Sequence, residues 1–352
     1  MIIKSINVYK KDLGNKRPYT IAFKTVDEVF SAILELELED GTVAYGAGNP
    51  SQQVVNESVD DAIQALQSID FIVGRDIRHF YSILSDVQIK LPKNPSARAT
   101  LDIALHDAFT KYMDIPLAGF LGQQIKSLPT SVTIGIKNVE DTLAEADEYY
   151  DLGFKILKVK TGLDVDEDIE RVKKLRERFG NHFKIRVDGN QGYDVEKVTK
   201  FYNSTLKDDV ELIEQPIPAQ QVDTLKSLPD AIKERIAADE SLLSPYHAFR
   251  LAETPRASGI FNIKLMKAGG IQPARDIATI AQYSNTDLMW GCNDESAISI
   301  AAALHTALSF SNTRYLDLDG SLDVVEDVVK GGFTLKDGYL SILDKPGLGV
   351  YK

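Results

Sequence analysis

From Leu128 onward the chain repeats one arrangement: a short apolar run of strand length, a charged or polar residue that closes it, and an amphipathic stretch. The apolar runs fall at 131–136, 154–160, 184–188, 210–214, 235–239, 259–264, 287–291 and 314–318. Between them lie helical patterns such as 166–179, where Ile169, Val172, Leu175 and Phe179 share one face. The closing residues Lys160, Asp188, Glu214, Asp239 and Lys264 are spaced 28, 26, 25 and 25 apart. Asn293 or Asp294, and then Asp317, close the last two runs. A strand, a returning helix and two short loops need about 25 residues, so each beat is one βα unit. Eight such units predict an α/β fold built on a (β/α)8 TIM-type barrel, whose functional groups gather at the C-terminal ends of the strands.

The first part of the chain has another rhythm. Residues 2–9 and 29–39 alternate apolar and polar positions, and the turn Asp40-Gly41 leads into a third run at 42–46, which predicts an antiparallel meander. Helical patterns follow at 58–68, 75–86 and 96–113. The expectation is an α+β capping domain over 1–125, a barrel over 126–320 that carries the site, and a turn-rich tail over 321–352 that returns to the capping domain.

Composition narrows the function. With 352 residues, a net charge of −12 and a pI near 5.0, the chain lacks the basic stripe of a nucleic-acid binder. No apolar run approaches the ~18 residues of a membrane span, and the opening residues lack the apolar core of a leader, so a cytoplasmic enzyme is expected. Cys292 is the only cysteine, which rules out intramolecular disulfides and multi-cysteine metal sites. The five histidines, His247 and His305 among them, form no metal-spaced pair.

The charges carry chemistry once placed on the barrel. Side chains at i and i+2 share a strand face, so Lys158 with Lys160, Asp188 with Asn190, and Asp317 with Asp319 can all point inward. Asp188, Glu214 and Asp239 close adjacent strands and would repel one another unless a hard dication sat between them: Mg²⁺, with Mn²⁺ as the alternative. Asn190 and Glu240 stand beside that set as direct or outer contacts. Lys160 and Lys264 close strands four apart, on opposite sides of an eight-stranded ring. A lysine desolvated near a dication and another lysine is expected to have its pKa lowered toward the range needed for proton transfer. A substrate carboxylate on the cation would present its α-carbon between them, and loss of the α-proton would place charge on that carboxylate as an enediolate. One lysine on each face permits removal from one side and return from the other, which is racemisation or epimerisation. Asp317 and Asp319 suit a substrate ammonium. Because the two poles lie on opposite walls, a dipeptide fits better than a single amino acid. Lys267-Ala268-Gly269-Gly270 reads as a structural or substrate-adjacent turn.

These residues resemble the enolase superfamily in its muconate-lactonising-enzyme subgroup, and within it the dipeptide epimerases, over essentially the whole chain. Lys158-Val159-Lys160 matches K-x-K, Asp188-Gly189-Asn190 D-x-N, Glu214-Gln215-Pro216 E-Q-P, Asp239-Glu240-Ser241 D-E-S, and Asp317-Leu318-Asp319 the D-x-D of dipeptide epimerases; Lys264 matches the lysine of the sixth strand. The resemblance implies Mg²⁺ on Asp188, Glu214 and Asp239, acid/base chemistry by Lys160 and Lys264, and Lys158 polarising the carboxylate. It implies an Ala-Glu type of substrate, with o-succinylbenzoate synthase or a muconate-type cycloisomerase as the alternative on the same scaffold. Two departures widen the substrate expectation to a small apolar dipeptide such as D-Ala-L-Ala. Lys24 stands where Ala-Glu epimerases usually carry an arginine for the glutamate side chain, and Cys292-Asn293-Asp294-Glu295 adds acids that could receive a substrate ammonium; Glu295 could equally cap the following helix. A homo-oligomer is compatible with all of this.

Overall fold

The computed structural model describes residues 1–17, 19–21, 24–26 and 28–352, with side chains described outside 18–27. Strands β1 (Ile3–Asp12), β4 (Phe30–Leu38) and β5 (Val43–Gly48) form the antiparallel meander, in the order β1-β4-β5. A short hairpin of β2 (Tyr19–Ile21) and β3 (Lys24–Val26), which the sequence pattern does not foreshadow, lies between β1 and β4. Helix Val59–Gln67 starts at a capping box, with Ser58 and Asp61 satisfying each other's backbone N–H groups. The stretch expected as one helix over 75–86 is a 3₁₀ turn, Ile77–His79, running into helix Phe80–Lys90. The long helix Pro95–Tyr112 is buried along most of its length and packs on β4 and β5. An apolar core including Leu34, Leu36, Leu66, Phe80, Leu101 and Leu105 joins the meander to these helices.

The second part is a parallel eight-stranded sheet in strict sequence order: β7 (Val132–Ile134), β8 (Ile156–Lys160), β9 (Lys184–Asp188), β10 (Val210–Glu214), β11 (Ile236–Ala238), β12 (Ile260–Ile263), β13 (Asp287–Gly291) and β14 (Thr313–Asp317). The ring closes where Ser131 N donates to Leu316 O at 3.1 Å and Thr130 bridges Leu316 in parallel register. Leu212, Ala237, Ile260 and Met289 pack as one buried cluster with Tyr315 against it. Two residues further along each strand, on the same face, come Glu214, Asp239, Asn262, Gly291 and Asp317. Polar groups therefore form the layer above an apolar plug.

The end of the chain pairs in several places. β15 (Lys330–Gly331) pairs with β18 (Val350–Tyr351), and β16 (Phe333–Lys336) with β17 (Tyr339–Ile342). β17 also pairs with β6 (Leu128–Pro129), which precedes the first barrel strand. The same segment reaches the meander side, where Leu348 N donates to Asp107 Oδ1 at 2.8 Å and Lys352 pairs with Glu35 at 2.8 Å. Among the described residues, no helix is long and apolar enough to cross a membrane.

Candidate active site

A cavity of about 930 Å³ lies at the C-terminal mouth of the barrel, roofed by Asn49, Pro50, Ser51 and Val54 from the first part of the chain. Lys158, Lys160, Asn190, Asp239, Glu240, Lys264, Asp294, Asp317 and Asp319 all line it. Asp188 and Glu214 lie just beneath, fully buried.

The floor is a lattice of carboxylates and ammonium groups. Lys158, 2% exposed, stands 2.7 Å from Asp317 Oδ2, 2.8 Å from Glu214 Oε2 and 3.1 Å from Asp188 Oδ2. Lys160 donates to Asp188 Oδ2 at 2.7 Å, and Lys264 stands 3.0 Å from Asp239 Oδ2. With β8 and β12 four places apart in the ring, these last two ammonium groups face each other across the cavity. The charge balance leaves clear marks. Burial and the neighbouring Asp188 push Glu214 up to about 8, and burial with Asp239 pushes Glu240 up to about 7. Burial and Asp317 likewise raise Asp319 to about 7. Burial works against ionisation of Asp188 and Asp239 too, but Lys160 and Lys158 hold the first at about 2, and Lys264 and Lys267 hold the second well below the usual carboxylate range.

Around Lys158 and Lys264 the neighbouring carboxylates set the balance. Burial pulls Lys158 and Lys264 down, yet Asp317, Glu214 and Asp188 around the first, and Asp239 beside the second, outweigh it and raise both. The carboxylates that would hold a dication hold ammonium groups here.

The D-x-D pair divides its work. Asp317 is committed on both oxygens, to Ser131 Oγ at 2.6 Å and to Lys158 at 2.7 Å. Asp319 takes Thr133 N on Oδ2 at 2.8 Å, while among the described residues its Oδ1 has only the Cys292 thiol at 4.0 Å. Asp319 is therefore the member of the pair open to a substrate ammonium. Asp294 lines the cavity, whereas Glu295, expected beside it at the substrate, turns into its own loop and accepts from Asn293 N at 2.9 Å. Lys24 falls within the span whose side chains lie outside the described residues.

Several residues that support the site were not singled out from the sequence. Gln215 Oε1 accepts from Asp239 N at 2.9 Å, Ser241 N at 3.1 Å and Ser241 Oγ at 2.9 Å, so the E-Q-P and D-E-S turns are tied together by one amide. Asn262 Nδ2 donates to Glu214 Oε1 at 2.9 Å. Lys267, read as part of a turn, is 4% exposed and donates to Asp239. The signal for Gln215 and Asn262 lay in the pattern itself: one follows a strand-closing acid, the other precedes Lys264 by two positions on the same face. The turns are strained as well, with Asn190 at φ 40° and Gln215 at φ 27°. Left-handed backbone at non-glycine positions concentrates at functional sites.

A dication fits this donor set by charge and chemistry. Among the described residues, no three acidic, histidine or cysteine groups surround one point as they stand, because ammonium groups occupy the oxygens between them. Yet Asp188, Glu214, Asp239, Glu240, Asp317 and Asp319 outnumber Lys158, Lys160, Lys264 and Lys267, and burial, with the neighbouring carboxylates adding to it, makes ionisation of Glu214 and Glu240 costly unless further positive charge arrives. Glu214 Oε2 and Glu240 Oε2 are buried with no aligned hydrogen bond. All-oxygen donors with uncompensated negative charge suit a hard cation of the Mg²⁺ kind.

Comparison with known proteins places the whole chain. Residues 5–122 match the mandelate racemase / muconate lactonizing enzyme N-terminal domain, and residues 141–351 match the enolase C-terminal domain-like model. An L-Lys-D/L-Arg epimerase of Methylococcus capsulatus is 49% identical over 352 residues, covering 99% of each chain. An L-Ala-D/L-Glu epimerase of Bacillus subtilis is 34% identical over 341 residues, covering 95% of this chain and 92% of that one. The crystal structure of a dipeptide epimerase from Methylococcus capsulatus, complexed with Mg and the dipeptide L-Arg-D-Lys, superposes with a TM-score of 0.99 at 48% identity and covers 100% of both chains. With both domain models matched and relatives aligned nearly end to end, the chain belongs to the enolase superfamily, in its mandelate racemase/muconate-lactonizing-enzyme group.

Proposed function

We propose that this isomerase is a Mg²⁺-dependent dipeptide epimerase that inverts the α-carbon of the C-terminal residue by proton transfer between two lysines. One observation carries the reading: Lys160 and Lys264 face each other across a cavity that has the carboxylates of β9 to β11 on one side and Asp319 on the other. Asp188, Glu214 and Asp239 would hold the metal. When bound, Mg²⁺ supplies Lewis acidity at the substrate carboxylate, where charge collects as the α-proton leaves.

The protein's own groups do the rest. Lys158 lies beside Asp188 and Glu214 and directs its ammonium at a carboxylate bound there. Asp319 anchors the α-ammonium, which fixes the dipeptide's direction across the mouth. With the reacting carbon held between them, whichever of Lys160 and Lys264 is neutral takes the α-proton, while the protonated partner returns one to the opposite face. The roof residues Asn49 to Val54 limit water at the reacting carbon. The alternative lyase or cycloisomerase chemistry needs only one of the two lysines for proton transfer. It has no use for an ammonium site.

We further infer a cationic side chain on the first residue of the dipeptide, rather than the Ala-Glu or small apolar substrates expected from the sequence. Beyond Asp319 the cavity wall carries Asp141, Glu145, Glu148 and Asp323 around Tyr149. Cations of the chain already engage it: Lys137 pairs with Glu145 at 2.7 Å, and Arg17 with Glu148 at 2.8 Å. The side chain of the residue whose ammonium meets Asp319 branches from the carbon that carries that ammonium, in the same cavity as those acids. The relatives described as L-Lys-D/L-Arg epimerases support the same class. A dipeptide panel tests this. L-Lys-L-Arg should exceed L-Ala-L-Glu and D-Ala-L-Ala in kcat/KM by about a hundredfold, the scale of two charge-assisted contacts; a preference for L-Ala-L-Glu would overturn the cationic assignment. The same reading divides the chain into a capping domain over 1–125, a catalytic barrel over 126–320 and a returning tail over 321–352, and takes the enzyme as cytoplasmic.

A further inference from the structure

We propose that Lys267 is a positioning residue for the metal: it fixes the rotation of the Asp239 carboxylate so that Oδ2 alone faces the cation site. The proposal rests on the assignment of Asp239 as a Mg²⁺ ligand in the function above. Lys267 sits on the short helix Leu265–Ala268, immediately after Lys264, and is 4% exposed. Its ammonium has three hydrogens and three acceptors: Asp239 O at 2.7 Å, Asn262 O at 3.1 Å, and Asp239 Oδ1. No hydrogen is left over for substrate, and the two carbonyls hold the ammonium still. Asp239 Oδ1 is thereby committed, leaving Oδ2, the oxygen that lies 3.0 Å from Lys264. The backbone of Asp239 is pinned independently by Gln215, so the carboxylate rotation is the remaining freedom, and Lys267 removes it.

Lys267 is itself located from outside the barrel. Ser96 Oγ donates to Met266 O at 3.2 Å, and Asp102 Oδ1 accepts from Ile271 N at 2.9 Å, so helix Pro95–Tyr112 holds both ends of the Leu265–Gly270 turn. The first part of the chain thus reaches a metal ligand through two intermediates and touches neither metal nor substrate there. Outer-shell partners that orient a metal ligand typically govern metal affinity by about ten- to a hundredfold. A lysine that merely satisfies buried charge would instead affect folding and leave the affinity of the folded protein unchanged.

Titration calorimetry of Mg²⁺ into the metal-free protein separates the two. Lys267→Met should weaken the Mg²⁺ Kd at least tenfold, and dipeptide turnover should recover toward the wild-type kcat as Mg²⁺ is raised. Lys267→Gln, which keeps an uncharged amide donor and serves if the methionine variant does not fold, should fall in between. In an Asp239→Asn background, Lys267→Met should add no further weakening. A folded Lys267→Met or Lys267→Gln protein with wild-type Mg²⁺ affinity would overturn the proposal. A wild type that binds no Mg²⁺ overturns the proposed function with it. One that binds Mg²⁺ but epimerises no dipeptide overturns the function alone, and the Lys267 comparison still decides.

Discussion

At the scale of single residues, the site works by assigning one task to each oxygen and each ammonium. Asp317 is spent on Lys158 and Ser131, and in the proposed function Asp319 takes the substrate ammonium. Lys160 and Lys264 occupy opposite faces, and this makes their loss asymmetric. In Lys160→Ala and Lys264→Ala, epimerisation should fall by about 10²–10⁴. Each variant should still exchange the α-proton of one epimer in D₂O, a different epimer in each case; equal exchange of both epimers at the wild-type rate in either variant would refute the two-base assignment. Gly291 supplies a quieter prediction. A Cβ there would stand 2.6 Å from Asn262 Oδ1 and 3.1 Å from Lys264 Cε. Gly291→Ala should therefore displace Lys264 and lower kcat more than it raises KM, measured on one dipeptide at saturating Mg²⁺.

At the scale of elements, the decisive piece is helix Pro95–Tyr112, which belongs to the meander yet fixes parts of the barrel mouth. β5 lies so close to it that a Cβ on Gly46 would stand 1.9 Å from Thr100 O. Gly46→Ala should destabilise the fold by roughly 1–3 kcal/mol, the usual cost of overpacking, read from the denaturant midpoint at unchanged m-value. The barrel strands were legible because period-2 apolar runs and their closing charges recur at nearly constant spacing, and Asp188, Glu214, Asp239 and Lys264 stand at or just beyond the strand ends that pattern marks. The hairpin of β2 and β3 was not legible, since each strand is only three residues long and no strong turn pair separates them. Nor was the role proposed for Lys267, because the contact behind it joins Asp239, just beyond β11, to a residue on the short helix that follows β12. Glu295 and Asp294 looked equivalent in sequence; only the loop's path decides that one faces the cavity and the other caps Asn293 N.

At the scale of the whole molecule, the two parts and the tail meet around His305. It lies on helix Ala297–Ala307, is fully buried, and accepts from Ala118 N through Nδ1 at 3.0 Å. Burial lowers its pKa from 6.5 to about 4. The folded state therefore resists a proton that the unfolded chain accepts. Above about pH 6.5 the residue is neutral in both states and contributes no pH dependence; as pH falls from 6.5 toward 4 the unfolded state gains protons and stability drops, by up to about 3 kcal/mol from this group. Melting temperatures of wild type and His305→Gln measured across that window should converge as pH falls, and parallel curves would contradict the assignment. The central claim concerns the reaction, and one measurement addresses it most directly. L-Lys-L-Arg incubated in D₂O with the enzyme and Mg²⁺, followed by proton NMR, should lose the α-proton signal of the C-terminal residue as the L-Lys-D-Arg diastereomer appears carrying deuterium, and should do neither when Mg²⁺ is chelated. Inversion without solvent deuterium, or no exchange with any dipeptide alongside turnover of a succinylated or muconate-type acid, would contradict the account.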